Sequence, residues 1–278
     1  MNYFVEGLQG SGKSTLVGRL TEKYPDYKAF HEGDYSPVEL AWCAYLTPEK
    51  YAEVLDKYSD IRGMIEAKTT TEPGCTAPEA NPGQASSAEH RETPDNRMVV
   101  CYTQILTDIP GFHKDLEQYE IYNGRTGLDE FKSIVLNRYR RWNGDKSIFE
   151  CSLFQNIVED MILFRVMPDD EIIDFYREVS DALEGKDYHI YYLEADDVDG
   201  NINVIRKERS DDDGNEMWFP LMMGFFNDSP YAKHFGVSGE DELIRHLEHR
   251  QDLELRICRE VFADRYTLLK SKNYELEK

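Results

Sequence analysis

At 278 residues the chain is long enough for one large domain or two small ones, each with a core. Its 54 acidic residues outnumber 32 basic ones, and the formal charge of −22 repels phosphate backbones and anionic lipid, which argues against nucleic-acid and membrane-surface roles. Five widely spaced cysteines without a CxxC motif argue for a reducing cytosol rather than a disulfide framework or zinc knuckle; with no membrane-spanning apolar run, the expectation is a soluble, cytoplasmic protein.

Residues 2–6 (NYFVE) read as a short buried strand, followed by the glycine-rich "GLQGSGKS" and then a helix with Leu16, Val17 and Leu20 on one face. "YKAFH" (27–31) reads as a weaker strand ending in "EGD", and Pro48 stands at the first position of a helix with Tyr51, Val54, Leu55 and Tyr58 on one face. Residues 69–96, rich in Pro, Gly, Ser, Thr and Glu, read as a flexible insertion rather than a packed element. "MVVCYTQI" (98–105) fits either a strand or a buried helix segment.

Residues 127–142 (GLDEFKSIVLNRYRRW) pattern as an amphipathic helix, "SIFE" (147–150) as a short strand and "LFQNIVEDMILFRV" as an apolar helix. Pro168 opens another helix with acids in its first turn and Gly185 beyond its end. "YHIYYLEA" (188–195) is a clear central strand. Ser238 and Asp241 fit a capping box for a helix running to about Ala263, and "RYTLL" (265–269) reads as a last strand. Strands alternating with helices predict an α/β fold of three layers: a central, mostly parallel five-stranded sheet with helices on both faces.

Gly7, four residues, then Gly12-Lys13-Ser14 satisfies the P-loop pattern. Glycines let the backbone turn its N–H groups inward around phosphate oxygens. Lys13 neutralises the β- and γ-phosphates, Ser14 ligates Mg²⁺, and the helix N-terminus adds partial positive charge. The expected nucleotide-binding set is Gly7, Gly10, Ser11, Gly12, Lys13, Ser14 and Thr15. A GTPase switch needs an NKxD-type base reader, and none is present; Asp211 to Gly214 fits DxxG but reads as an acidic turn. A motor ATPase needs four apolar residues followed by Asp-Glu, and no such run exists.

On "VEGLQGSGKST", "HEGD", "SIFECS" and "IYYLEADDVDGNINVIRKERS", about a quarter of the chain, the sequence resembles P-loop kinases of the deoxynucleoside kinase and thymidylate kinase type. The resemblance implies a single P-loop NTPase domain over residues 1–278, with a lid at about 205–236 whose Arg206 and Arg209 close over the transferred group. It implies ATP and Mg²⁺ as cofactors, and a nucleoside triphosphate and a small-molecule acceptor as partners. Glu150, ending a middle strand, would hold Mg²⁺ through water. The deoxynucleoside members carry "EP" where this chain has Glu32-Gly33-Asp34, and they often follow their middle-strand Glu with Arg, where this chain has Cys151 and Ser152.

Glu32 and Asp34 carry the acceptor-side argument. A kinase acting on a hydroxyl gains from a carboxylate that takes its proton, whereas one extending a phosphate needs arginines. "FHEGDYSPVELAW" offers two acids and no arginine, so either acid can serve as base for a hydroxyl acceptor, nucleoside-like or otherwise polyhydroxylated, even cationic. Two rivals stay open: a nucleoside-monophosphate kinase, which would gather Arg125, Arg138 or Arg141 beside Glu32, and a regulatory nucleotide-binding protein with little turnover. Gln155 and Asn156 are further candidates for an acceptor pocket. His246 and His249 lie in "RHLEHRQDLE", which reads as a solvent-facing charged helix rather than a metal pair. Trp218, Leu221, Met222, Phe225 and Phe226 form an apolar stripe expected to be core or lid packing. The sequence leaves the oligomeric state, including a homodimer, open.

Overall fold

The first strand, β1 (Asn2–Gly7), is buried along its whole length and runs straight into the glycine loop. The computed structural model describes residues 1–74 and 96–272. Helix α1 (Lys13–Lys23) and the short strand β2 (Lys28–Phe30) follow β1. Next come β3 (Ala44–Leu46), α2 (Pro48–Lys57), α3 (Arg62–Ala67), β4 (Thr69–Pro73) and β5 (Asn96–Val100). Helices α4 (Phe112–Glu117) and α5 (Leu128–Arg141) lead to strand β6 (Ser147–Glu150). Helix α6 (Gln155–Glu159) continues as one π-helical turn, then come α7 (Asp169–Ala182) and β7 (Tyr188–Glu194). Helices α8 (Val198–Glu208), α9 (Trp218–Asn227), α10 (Pro230–Phe235) and α11 (Glu240–Val261) precede strand β8 (Tyr266–Lys270).

The chain divides into two compact units: Met1–His31 with Asn143–Lys278, and Glu32–Trp142. In the first, five strands pair in the order β2-β6-β1-β7-β8, every pairing parallel, with helices flanking the sheet. The α/β architecture and five strands follow the sequence pattern. Parallel neighbours need crossover connections, which the helices supply. Sheet cohesion rests partly on an aromatic ladder across neighbouring strands. The Phe149 ring stacks on Phe4 and on Phe30, with centroids 5.0 Å apart in each pair. Another cluster joins Leu16, Val17 and Leu20 of α1 to Val5, Ile148 and Leu193 of the sheet, as the helical spacing predicts.

The second unit holds a three-stranded antiparallel sheet ordered β3-β5-β4. Its core includes Leu46, Val54, Ile65, Val100, Phe112 and Leu116. Helix α2 begins at Pro48 as expected, with the Thr47 side chain capping Lys50 N–H. One open reading is resolved here and one expectation corrected. The ambiguous stretch 98–105 is a strand to Val100, followed by one 3₁₀ turn. The start of the expected insertion is strand β4, because three successive threonines suit an extended backbone and pair with β5. Residues 75–95 of that insertion lie outside the described residues.

Two further corrections concern the C-terminal helices. The capping box at Ser238 and Asp241 does not form. Helix α11 instead starts after Gly239 (φ +95°), whose N–H donates to Asn227 Oδ1 at 3.0 Å. The apolar stripe of α9 is only partly buried: Phe226 is enclosed, while Leu221 is 73 % exposed. Within the expected lid span, the chain is mostly helical, through α9 and α10.

Phe149→Ala is expected to cost about 3–5 kcal/mol in urea unfolding, by removing the middle ring of the ladder. Leu221→Ala, on an exposed position, is expected to change stability by no more than about 0.5 kcal/mol.

Candidate functional site

Strand order places the glycine loop at a topological switch point. From β1 the chain crosses to β2 on one side of the sheet, and from β6 it crosses over β1 to β7 on the other. Crevices at the carboxyl ends of strands at such points are where open α/β sheets bind ligands. The loop leaves β1 there, with Glu150 ending β6 on one side and Glu194 ending β7 on the other.

Two glycines of the loop are sterically required. Gly7 has φ +136°, and a Cβ on it would lie 2.5 Å from Leu193 O. Gly10 has φ +72°, and a Cβ there would overlap the Ile205 side chain of α8. Gly12, at φ +96°, is the N-cap of α1 and offers no side-chain cap to the helix. The first turn of α1 contains no acid, whereas α5, α7 and α11 each open with two or three. An uncapped helix start without acids keeps its amides and partial positive charge available to an anion. Ser11 Oγ is buried and, among the described residues, has no hydrogen-bond partner.

The Lys13 side chain folds back on the loop. Its buried ammonium donates to Gly7 O at 2.8 Å, Leu8 O at 2.7 Å and Gln155 Oε1 at 3.0 Å. Ser14 Oγ donates to Glu150 Oε1 at 2.5 Å, and His31 Nδ1 lies 2.8 Å from Glu150 Oε2. A carboxylate only accepts, so the His31 ring donates from Nδ1. Ser14, Glu150 and His31 therefore form one chain of hydrogen bonds from α1 across β6 to the residue after β2. Thr15 is exposed on the first turn of α1.

Behind the loop lies a buried polar network that the sequence pattern concealed. Helix α11 was expected to face solvent, yet His246, Arg250, Gln251 and Glu254 are buried. Arg250, fully enclosed, donates to Gln9 Oε1 of the loop at 2.7 Å and to Glu159 Oε2 at 2.9 Å, and pairs with Glu254 at 3.3 Å. His246 Nε2 meets the same Glu159 oxygen at 3.0 Å, so this histidine is a hydrogen-bond partner within the fold. Burial opposes ionisation of Glu159, but Arg250 and His246 outweigh it and hold the carboxyl down at about 2. Glu254 is pushed up by burial and accepts from Tyr192 OH at 2.6 Å. The Asn201 amide of α8 donates to Gln9 O at 2.6 Å, so α8 and α11 both grip the loop apex.

Glu6, one residue before the loop, accepts from Leu153 N–H and Phe154 N–H at 2.8 and 3.1 Å. It thereby anchors the start of α6, which carries Gln155. Burial pushes the Glu6 carboxyl up to about 8.

The expected lid arginines sit at the end of α8. Arg206 is held by Glu216 at 2.7 Å and by Glu240, with its guanidinium 3.9 Å from the Phe219 ring centroid. Arg209 is exposed and lies 5.0 Å from the Trp218 ring centroid. In the second unit, Glu32 accepts from the Trp42 indole at 3.0 Å and Asp34 from the Gln104 amide at 2.7 Å. Arg125 pairs with Glu117 and Glu120, buried Arg138 with Glu72 and Ser36 O, and Arg141 donates to Pro73 O. Gln155, a candidate for an acceptor pocket, is a hydrogen-bond partner of Lys13. His31, Glu6, Asn201 and Arg250 went unmarked in the sequence. The one available cue was that His31 directly precedes "EGD".

The sequence matches no protein-family model and no curated protein.

Between about pH 4.5 and 8 the folded protein keeps the Glu6 proton that the unfolded chain has released, so stability falls as pH rises through this window. Glu39 of the second unit, also pushed up to about 8 by burial, contributes in the same direction. Glu6→Gln is expected to flatten the decline measured by urea unfolding at pH 5, 6, 7 and 8.

Proposed function

We propose that the protein is a P-loop phosphotransferase that uses ATP and Mg²⁺ and moves the γ-phosphoryl group to a hydroxyl of a small molecule. The observation that carries this reading is the glycine loop at the sheet's switch point, with Lys13 under it and Ser14 hydrogen-bonded to Glu150. Phosphoryl transfer asks a protein chiefly for positioning and charge, and this arrangement supplies both.

The donor set fits the metal. Ser14 Oγ and the Glu150 carboxylate are hard oxygen ligands of the kind Mg²⁺ takes beside phosphate and water. When bound there, Mg²⁺ would supply positive charge against the phosphate oxygens. Lys13 and the loop amides hold the phosphate oxygens. His31 keeps the Glu150 carboxylate oriented from its far side. Arg209, and Arg206 once exchanged from Glu216 and Glu240, bring positive charge to the transferred group. Glu32 or Asp34 takes the proton of the acceptor hydroxyl.

The arginine partners favour a hydroxyl acceptor over a monophosphate. Arg125 and Arg138 are already neutralised by carboxylates, and Arg141 is engaged with backbone carbonyls. A phosphate acceptor would have to displace those contacts.

An ADP-release screen of nucleosides, nucleotides, sugars and aminoglycosides tests the proposal and names the acceptor. Acceptor-dependent ADP release is expected, and Lys13→Ala is expected to lower it at least about 100-fold. Of Glu32→Gln and Asp34→Asn, one is expected to cut kcat by about 10²–10⁴ while leaving ATP affinity unchanged. Nucleotide binding without acceptor-dependent release from any compound would replace the kinase with a regulatory nucleotide-binding protein.

A further inference from the structure

The three protons of the Lys13 ammonium are all taken by the protein. Two go to loop carbonyls, which are part of the backbone geometry, and the third goes to the Gln155 side chain. The amide orientation of Gln155 follows from chemistry, since an ammonium only donates and must face the oxygen. Cys151 Sγ lies 3.5 Å from the same oxygen. Cys151 itself stands at φ +56°, a strained left-handed turn between β6 and α6. The turn leading into α6 is fixed from the other side by Glu6, which accepts the backbone N–H groups of Leu153 and Phe154. The backbone that carries Gln155 is thus fixed beside Lys13, and the residue is 4 % exposed.

We propose that Gln155 is a positioning residue that holds the Lys13 ammonium in the nucleotide-free protein and gives it up to the donor's phosphate oxygens on binding. The inference rests on the donor-site reading above. An ammonium with three filled donors reaches a phosphate only by exchanging one partner. Gln155 is the partner able to leave, because its side chain rotates while the two carbonyls belong to the loop. The exchange lowers apparent affinity for nucleotide, because the Lys13–Gln155 bond must break first. In return, it keeps a buried ammonium satisfied whenever the loop is empty.

Two substitutions at this one residue move affinity in opposite directions. Gln155→Leu leaves one buried Lys13 N–H without its partner until phosphate arrives, so binding tightens by about ten-fold and the melting temperature of the nucleotide-free protein drops. Gln155→Glu replaces the amide with a charged partner that holds Lys13 more strongly and repels phosphate, so binding weakens by about ten-fold. A side chain that merely supported the fold would weaken binding in both variants.

The experiment is calorimetric titration of the full-length protein and both variants with MgATP, beside Lys13→Ala and thermal melts without nucleotide. Tighter binding by the Leu variant together with weaker binding by the Glu variant supports the proposal. Where the Leu variant does not fold, Gln155→Met, of nearly equal length, takes its place with the same expected tightening. Wild-type binding that either variant leaves unchanged, or that both weaken, overturns this inference and leaves the donor site standing. Wild-type protein that binds no MgATP overturns the donor-site reading and this inference with it.

Discussion

A buried ammonium must satisfy three protons, and much of the first unit's architecture around the loop follows from how Lys13 does so. Two acceptors come from the loop that the glycines bend into place, and the third comes from α6. For the carbonyls to turn toward Lys13, Gly7 must adopt φ +136° directly against Leu193 O of β7. For Gln155 to reach Lys13, α6 must start where Glu6 anchors it. Strand pairing is what makes this possible, since β6 and β7 both lie beside β1 and deliver their ends to the loop.

The chain's acidity has a counterpart inside the fold. Desolvation makes an unpaired buried charge costly, and several buried carboxyls of this acidic chain avoid that cost in one of two ways. Glu6 and Glu39 keep their protons into neutral pH because burial disfavours the charged form. Glu159 and Glu72 stay with arginine partners instead, Arg250 and Arg138. Arg250 does more than balance charge, because its remaining donor reaches Gln9. The loop apex is therefore tied to the centre of the longest helix, and Asn201 and Ile205 close over it from α8. Helix α8 also ends at Arg206 and Arg209. The helix that contacts the glycine loop through Asn201 and Ile205 is thus the one whose last turn carries Arg206.

Legibility differed by the range of the forces involved. The glycine loop, the strand before it and the helix after it depend on neighbours a few residues apart, and their pattern was plain. So was the alternation of strands and helices that yields the five-stranded sheet, because apolar runs such as "NYFVE" mark strands buried on both faces. The three-stranded sheet was not legible. Strand β3 has only three residues, and β4 opens a stretch whose composition is that of a loop. For the stripe in α9 the sequence leaves core and lid packing both open, because apolar spacing records amphipathicity and not what is available to cover it.

By itself, the sequence determined that a glycine-rich loop sits between a strand and a helix, since the glycine positions and Lys13-Ser14 are local features of the chain. It also determined an α/β chain with a parallel sheet, since hydrophobic periodicity is a property of each segment. Only tertiary structure decided the partners of the charged side chains. "RHLEHRQDLE" carries the same letters whether it faces water or a core, and its burial came from Glu159, Gln9 and Tyr192, which are distant in sequence. The third acceptor of Lys13 was settled in the same way. A hydrogen bond between residues 142 positions apart leaves no periodic trace, and the fold alone brought Gln155 to the loop.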